Sequence, residues 1–205
     1  MEKKKAYHSA AYHRYFEGYE ELQKCMPDGR VVIERFYTGM YYRQNIPDSR
    51  RRLNRGIFAL CLLAAAELFL YTASRPLPCS NLWYVNIPSV WSLVTLILTA
   101  MYTVLNLIAP REMEIHSYRD AHERLIAVSR LCAAGLVVTG AAAALSLSVS
   151  GGPAVETLRC AAQYAVCGIL IFLIFHIEKN TSYTEQGSRY PHQAKGSRIR
   201  YESEF

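Results

Sequence analysis

The sequence lacks the short motifs that mark most catalytic, metal-binding and nucleotide-binding sites. Its six cysteines include no CxxC pair, so neither a thioredoxin-like redox centre nor a zinc knuckle is indicated. His116 and His122 are six residues apart, which does not place them on one helical face. A glycine-rich phosphate loop and a nucleophilic triad are also missing. We therefore expect no metal, no cofactor and no enzymatic activity.

Charged residues are almost absent from four long stretches, at about 56–74, 88–109, 125–149 and 153–177. A helix rises about 1.5 Å per residue, so about 20 apolar residues cross the hydrocarbon core of a bilayer. The fold class predicted is an all-α membrane protein with a bundle of four transmembrane helices over 56–177. A soluble four-helix bundle would have a charged face on each helix, and "VWSLVTLILTAMYTVLNLIA" has none.

The basic residues predict how the chain is threaded. Of its 23 Lys and Arg, only Arg75 and Arg159 fall in or beside the segments assigned to the outer side. By the positive-inside rule, we expect both termini to be cytoplasmic, in an integral protein of the plasma membrane. The N-terminal "MEKKK" is not followed by an apolar run, so we expect no cleaved signal peptide. An interfacial aromatic belt is expected at Trp83, Tyr84 and Trp91.

The net charge of +6 does not require a nucleic-acid partner. Basic residues that flank membrane spans set orientation and attract anionic lipid headgroups. We expect such headgroup contacts from the cluster just before the first span, at Arg50, Arg51, Arg52 and Arg55. The expected partners are thus the lipid bilayer and either another protein or further copies of the chain, but no nucleic acid.

Residues 1–55 are too few for a core of their own, yet residues of about 18–38 have the pattern of a β-hairpin around Pro27-Asp28-Gly29. An isolated hairpin is marginal in water, so we expect it to dock on the 110–124 loop, the membrane surface or a partner. Seven tyrosines lie in residues 7–42, and they either pack this hairpin or form an interface. The 110–124 loop predicts a helical extension into the third span. The tail, 178–205, lacks apolar periodicity and is predicted to be disordered.

Glu67 interrupts the apolar stretch "CLLAAAELFLYTA" of the first span. It lies about eleven residues beyond Gly56, or roughly 17 Å into the core at the helical rise. Arg159 and Gln163 on the fourth, antiparallel span have similar depths, so the three predict an intramembrane polar cluster. Three roles are open to Glu67. It would pair with Arg159, or it would stay protonated and donate a hydrogen bond to Gln163, Thr95, Thr99 or Thr139. In the third role it would titrate in a transport path. Arg159 lowers its pKa in the first case, and burial raises it in the second.

The third span is rich in small residues. Gly135 with Thr139 and Gly140 with Ala144 form small-xxx-small pairs, which let membrane helices approach closely. They predict contacts inside the bundle or between copies of the chain. For the protein as a whole, we expect a non-enzymatic subunit or accessory protein of a membrane assembly. The alternative is a small oligomeric transporter or channel that uses Glu67 as its coupling carboxylate.

Overall fold

The computed structural model describes residues 17–25, 31–75, 82–150 and 154–187. The chain divides into two units. The helical unit contains the described residues of Gln44–Pro110 and Ser117–Ser182. The sheet unit contains those of Met1–Arg43, Arg111–His116 and Tyr183–Phe205. The hairpin turn predicted at Pro27-Asp28-Gly29 lies outside the described residues.

Four helices of 26 residues each dominate the chain: α1 (Asp48–Ala73), α2 (Trp83–Ile108), α4 (Leu125–Ser150) and α5 (Ala154–Lys179). A short helix, α3 (Ile115–Tyr118), and a π-helix (Arg119–Arg124) lead directly into α4. All four long helices are long and apolar enough to cross a membrane. At about 1.5 Å per residue each is roughly 39 Å long, which exceeds the hydrocarbon core.

Two helices begin earlier than the sequence predicts. α1 begins at Asp48, eight residues before the expected 56, and Pro47 precedes it with extended backbone (φ −59°, ψ 149°). An acidic first residue suits the positive end of the helix dipole. α2 begins at Trp83, five residues before the expected 88, and contains Pro88. A proline this close to the helix start removes only one backbone hydrogen bond, so the first turn forms ahead of it.

The helices of the helical unit pack in the order α1, α5, α4, α2, and α1 contacts α2 only sparsely. Each helix buries one stripe, and the shared core includes Phe58, Phe69, Leu136, Tyr164 and Ile171. Large apolar side chains also cover the outside, among them Leu60, Leu63, Ile97 and Val155. Helices that are apolar all round are typical of membrane spans.

The sheet unit holds two small antiparallel sheets. β1 (Tyr19–Cys25) pairs with β2 (Val31–Tyr37), from Tyr19 opposite Tyr37 to Cys25 opposite Val31. These strands form the antiparallel pair predicted within about 18–38. The second sheet has the order β4-β3-β5 and contains β3 (Tyr41–Gln44), β4 (Glu112–Met113) and β5 (Tyr183–Gln186).

The second sheet corrects two predictions. The tail, 178–205, was expected to be disordered, but in its described part α5 continues to Lys179 and residues Tyr183–Gln186 form a strand. Residues 188–205 lie outside the described residues. The 110–124 loop was expected to be a helical extension into the third span; it is helical from Ile115 onward, but Glu112–Met113 pair with β3 instead. Strands of two to four residues are too short to show an alternating pattern, and they form because β3 supplies their hydrogen-bonding partners.

Candidate functional site

Glu67 lies in the second half of α1, six residues before the helix ends at Ala73, on the face that points away from the other helices. The residues that α1 buries are Phe58, Cys61, Ala65, Phe69 and Thr72. At about 100° per residue, Glu67 lies roughly opposite the centre of this stripe. Its side chain is exposed, as are those of Leu60, Leu63 and Leu70 on the same face. We call Leu60, Leu63, Glu67 and Leu70 the outward face of α1.

The structure does not form the predicted cluster of Glu67, Arg159 and Gln163. Gln163 is half-buried, and its Oε1 accepts a hydrogen bond from Thr72 Oγ1 at 3.1 Å. Arg159 is exposed near the start of α5. Among the described residues, neither Glu67 nor Arg159 has an ion-pair partner. The prediction rested on depth, but pairing also requires that the side chains face one another, and Glu67 faces outward.

The other expected partners of Glu67 are buried between α2 and α4. The Oγ atoms of Thr139 and Ser92 lie 3.1 Å apart and form a hydrogen bond between the two helices. Thr95 and Thr99 donate to carbonyls one turn earlier in α2, at 2.9 and 2.7 Å. These hydroxyl groups thus form their hydrogen bonds within the bundle, and none of them bonds to Glu67. Thr103 is also fully buried, and its Oγ1 has no hydrogen-bond partner within the described ranges.

The small residues of α4 lie against two different helices. A Cβ on Gly135 would come within 3.0 Å of Ser92 Oγ on α2. One on Gly140 would come within 3.0 Å of the Ala161 carbonyl oxygen on α5. These positions therefore let α4 approach both neighbours closely. Thr139 is fully buried on the α2 side, and Ala144 is half-buried.

Glu178 forms a buried pair that sequence reasoning missed. Its Oε1 lies 2.7 Å from Nδ1 of His122, and the two side chains are 3% and 12% exposed. Tyr118 stacks on His122 with ring centroids 5.1 Å apart. A buried carboxylate requires a hydrogen-bonding partner, and this one joins the end of α5 to the π-helix. Glu178 continues the stripe of buried positions 160, 164, 167, 171 and 174 at spacings of three and four. Hydropathy does not reveal this stripe, because the exposed face of α5 is apolar as well, with Ile169, Phe172 and Leu173.

Further hydrogen bonds join the helices at the same end, where α1 and α4 begin and α2 and α5 end. Asn106 Nδ2 donates to the Ala121 carbonyl in the π-helix at 2.8 Å. Arg51 and Arg55 both donate to the Ala109 carbonyl, at 2.7 and 2.5 Å. Basic side chains suit the last carbonyls of a helix. We call this end of the helical unit the basic end.

The arginine contacts refine the expected headgroup cluster. Arg51 and Arg55 are half-buried and occupied by the end of α2, whereas Arg50 and Arg52 are exposed. The four side chains therefore do not form one uniform surface for lipid. Only the two exposed arginines have the freedom that contact with headgroups requires.

The tyrosines of the sheet unit pack on one another and on the 111–116 segment. The Tyr37 ring lies 5.1 Å from that of Tyr19 and 5.0 Å from that of Tyr41, both edge-on. Tyr37 Oη donates to the Met40 carbonyl at 2.8 Å and accepts from the Ile115 amide at 3.1 Å. Of the docking surfaces considered for the hairpin, the chain's own 110–124 loop supplies contacts.

Tyr19 donates its phenolic hydrogen to the carboxylate of Glu114. Burial, followed by this hydrogen bond and the negative charge of Glu114, raises the pKa of Tyr19 above its ordinary value. Burial also raises the pKa of Tyr37. Both phenols are therefore neutral at physiological pH and act here as hydrogen-bonding and packing groups.

The aromatic residues expected at the interface lie in the first turns of α2. Trp83 and Trp91 are exposed, and Tyr84 is half-buried. The rings of Trp83 and Tyr84 meet edge-on with centroids 5.9 Å apart. They thus lie at the end of the helical unit opposite the basic end.

In the part of the chain that the structure describes, no group of three His, Cys, Asp or Glu side chains is placed to hold a metal ion. The fold and its polar groups define a helical protein with four helices of membrane-spanning length and a small antiparallel sheet. No protein-family model, curated protein or solved structure gives a significant match to the chain.

Proposed function

We propose that the chain is a non-enzymatic subunit or accessory protein of a membrane assembly. The exposed carboxyl group of Glu67, within the apolar part of α1, is the observation that carries this proposal. A charged side chain in the hydrocarbon core costs at least about 2.5 kcal/mol, and the described residues give Glu67 no partner. A neighbouring chain with a polar or basic side chain at the same depth would remove this cost.

The surroundings of Glu67 fit a helix–helix contact. The outward face of α1 repeats at spacings of three and four residues through Leu60, Leu63, Glu67 and Leu70, which is the spacing of a packing seam. Lipid would cover the leucines without cost, but it offers the carboxyl group no hydrogen bond in the core. The partner that suits this face is therefore a second membrane helix, from another protein or another copy of the chain.

The proposal places the protein in the plasma membrane with both termini in the cytoplasm. The distribution of Lys and Arg, with only Arg75 and Arg159 assigned to the outer side, supports this orientation. Ser182 and Ser74 are exposed near opposite ends of the helical unit. In a background without Cys25 and Cys79, Ser182→Cys should resist an impermeant thiol reagent applied to intact cells, and Ser74→Cys should react. The reverse pattern would invert the orientation.

Site-specific crosslinking tests the subunit proposal. A photoreactive amino acid at position 63, on the outward face beside Glu67, should crosslink to one protein whose mass shows whether it is a second copy. The same group at position 97 is the control, since Ile97 is exposed on α2. Glu67→Leu should reduce the crosslink about three- to eighteenfold, because hydrogen bonds between membrane helices contribute about 0.6 to 1.7 kcal/mol.

One result would refute the assembly, and another would refute the role of Glu67 in it. One is purification in a mild detergent as a lone monomer together with equal, diffuse crosslinking from both positions. The other is a crosslink from position 63 that survives Glu67→Leu unchanged, which would separate the contact from the carboxyl group.

The same observation suits a second candidate, a small oligomeric transporter or channel with Glu67 as the coupling carboxylate. Since Glu67 faces away from the other helices of its own chain, the path would run between copies. Glu67→Gln separates the two functions, because it retains a hydrogen-bonding group but cannot exchange a proton. In a transporter, this variant would assemble normally and lose proton-coupled flux in proteoliposomes. In a structural subunit, assembly is the only property that depends on position 67.

A further inference from the structure

An open apolar groove runs along the outside of the helical unit between α4 and α5. Its volume is about 490 Å³, within the range of small-molecule binding sites. It is lined almost entirely by apolar side chains, and Arg130 is the one charged residue in its wall. The groove exists because its floor is made of small residues, Ala133 and Gly168. The rim residues include Ala134, Val137, Val138, Ile169 and Phe172.

The groove cannot be closed by larger floor residues without moving the helices. A Cβ on Gly168 would lie 3.2 Å from Cγ2 of Val137 and 3.4 Å from the Ala133 carbonyl oxygen. Gly168 therefore allows the close contact of α4 with α5, and the groove runs along the line where these two helices meet. From Arg130 to Val138 the groove follows α4 for about 12 Å at the helical rise.

Arg130 lies at the end of the groove nearest the basic end. It is exposed and directly precedes the apolar run that begins at Leu131. Among the described residues no carboxylate pairs with it. An arginine at this position extends its charged group towards the headgroup region while its stem stays with the apolar surface. The groove thus has an apolar body and, at its end nearest the basic end, a single charged residue with no ion-pair partner among the described residues.

We propose that this groove binds an anionic phospholipid, with one acyl chain along the α4–α5 seam and its phosphate on Arg130. The charge selects an anionic headgroup, and a guanidinium binds phosphate through two parallel hydrogen bonds. Beyond Phe172 on the rim lies His176, whose ring stacks on Phe172 with centroids 6.2 Å apart and whose Nε2 lies 3.1 Å from Nδ2 of Asn180. The site differs from the exposed arginines before α1, because it has a groove for the chain as well as a charge for the headgroup.

Lipid titration of the full-length protein in a non-ionic detergent tests the site. Native mass spectrometry would count retained lipid at matched concentrations of phosphatidylglycerol and phosphatidylcholine. We expect a preference for phosphatidylglycerol that Arg130→Gln reduces about fivefold, since one basic residue near the lipid surface contributes about 1 kcal/mol. Arg159→Gln is the matched control, because it removes an exposed arginine from the far end of α5.

Filling the groove tests the acyl chain separately. Ala134 is exposed on the rim, so Ala134→Phe, with Ala134→Leu as the milder variant, should reduce retention of both lipids several-fold and keep the preference between them. Unchanged retention in both variants would remove the groove from the site. A preference that survives Arg130→Gln, or falls equally with Arg159→Gln, would show general charge attraction and overturn the proposal. Competition by soluble glycerol phosphate as strong as that by the lipid would also overturn it.

Discussion

Glu67 and Glu178 are both carboxylates in apolar helices, but they differ in burial and in whether the chain gives them a partner. Glu178 lies on the buried stripe of α5 and is held by His122 at 2.7 Å. Glu67 lies opposite the buried stripe of α1 and is exposed, with no partner among the described residues. One carboxylate is part of the fold of a single chain. The other makes no polar contact among the described residues of the chain, and the subunit proposal gives it a partner outside that chain.

The difference shows that depth in the membrane and direction around the helix are separate properties. Hydropathy predicts that Glu67 lies within the hydrocarbon core, whereas Glu178 lies in the last turn of its helix. Only Glu178 has a direction that leads to a partner in the same chain. The comparison assigns stability to the basic end and association to the outward face of α1, and substitutions can test this assignment.

The largest expected effect is at Glu178. Glu178→Leu should lower the free energy of unfolding by about 3 kcal/mol, because the variant leaves His122 buried without its carboxylate partner. Reversible unfolding in mixed micelles would measure this, with exposed Glu123→Gln as the control. The double variant with His122→Phe should recover part of the loss. Equal, small effects of Glu178→Leu and Glu123→Gln would contradict a stabilising role for the pair.

Glycine substitutions extend the comparison from carboxylates to packing. Gly140→Ala should cost about 2 kcal/mol, because its Cβ would lie 3.0 Å from a backbone carbonyl of α5 and overpacking costs about 1–3 kcal/mol. Gly56→Ala, where a Cβ meets nothing within 4 Å, should instead stabilise the helix by about 0.5–1 kcal/mol. The same unfolding assay measures both. Effects of the same sign would contradict this assignment of inner and outer faces.

Glu114 offers an intermediate case, a carboxylate held by a phenol in the sheet unit. Tyr19→Phe should destabilise that unit by about 1 kcal/mol, because the hydrogen bond to Glu114 is lost. In the native protein the raised pKa of Tyr19 favours the neutral phenol. Its stabilising contribution is therefore complete below the ordinary tyrosine pKa of about 10 and is lost as the pH rises through the higher folded value.

Hydrogen exchange of the β1 and β2 amides measures the loss of stability. Absorbance at 295 nm follows ionisation, and the native-minus-variant difference isolates Tyr19. Tyr183→Phe on β5 gives the reference difference for another phenol of the same unit. A Tyr19 titration at or below the ordinary pKa would rule out the bond to Glu114.

The smallest expected effect is at Glu67. Glu67→Gln should change the unfolding free energy of the isolated chain by less than about 0.5 kcal/mol, since exposed positions away from the core rarely contribute more. This is the counterpart of the Glu178 result in the same assay. A loss comparable to that of Glu178→Leu would show that Glu67 is held within its own chain, and would remove the main support for the subunit proposal.

The sequence predicts the four long helices well, because hydropathy over about 20 residues is a strong signal. The strand pair at 19–37 is predicted for a similar reason, since each strand has seven residues. The second sheet is not predicted from the sequence. Its strands have only two to four residues, and Tyr42 pairs with Met113, which is far away in sequence. Local patterns carry little information about such contacts.

The direction of Glu67 could not be predicted by the same means. In a soluble helix the polar face shows which residues point outward. In α1 both faces are apolar, with Leu63 outside and Phe69 inside, so hydropathy fixes the depth of a residue but not its side of the helix. The π-helix at Arg119–Arg124 could not be predicted from local sequence either, because the residues that contact it, Asn106 and Glu178, lie on other helices.

The packing order α1, α5, α4, α2 has a consequence for synthesis. The main neighbour of the first membrane helix is the last one, so the stripe that contains Phe58 and Ala65 lacks its main packing surface until α5 has been made. During translation we therefore expect most of this stripe to face lipid or an insertion factor. The bundle closes only after α5 has been inserted, and a chain truncated before Ala154 would leave α1 with only its sparse contacts to α2.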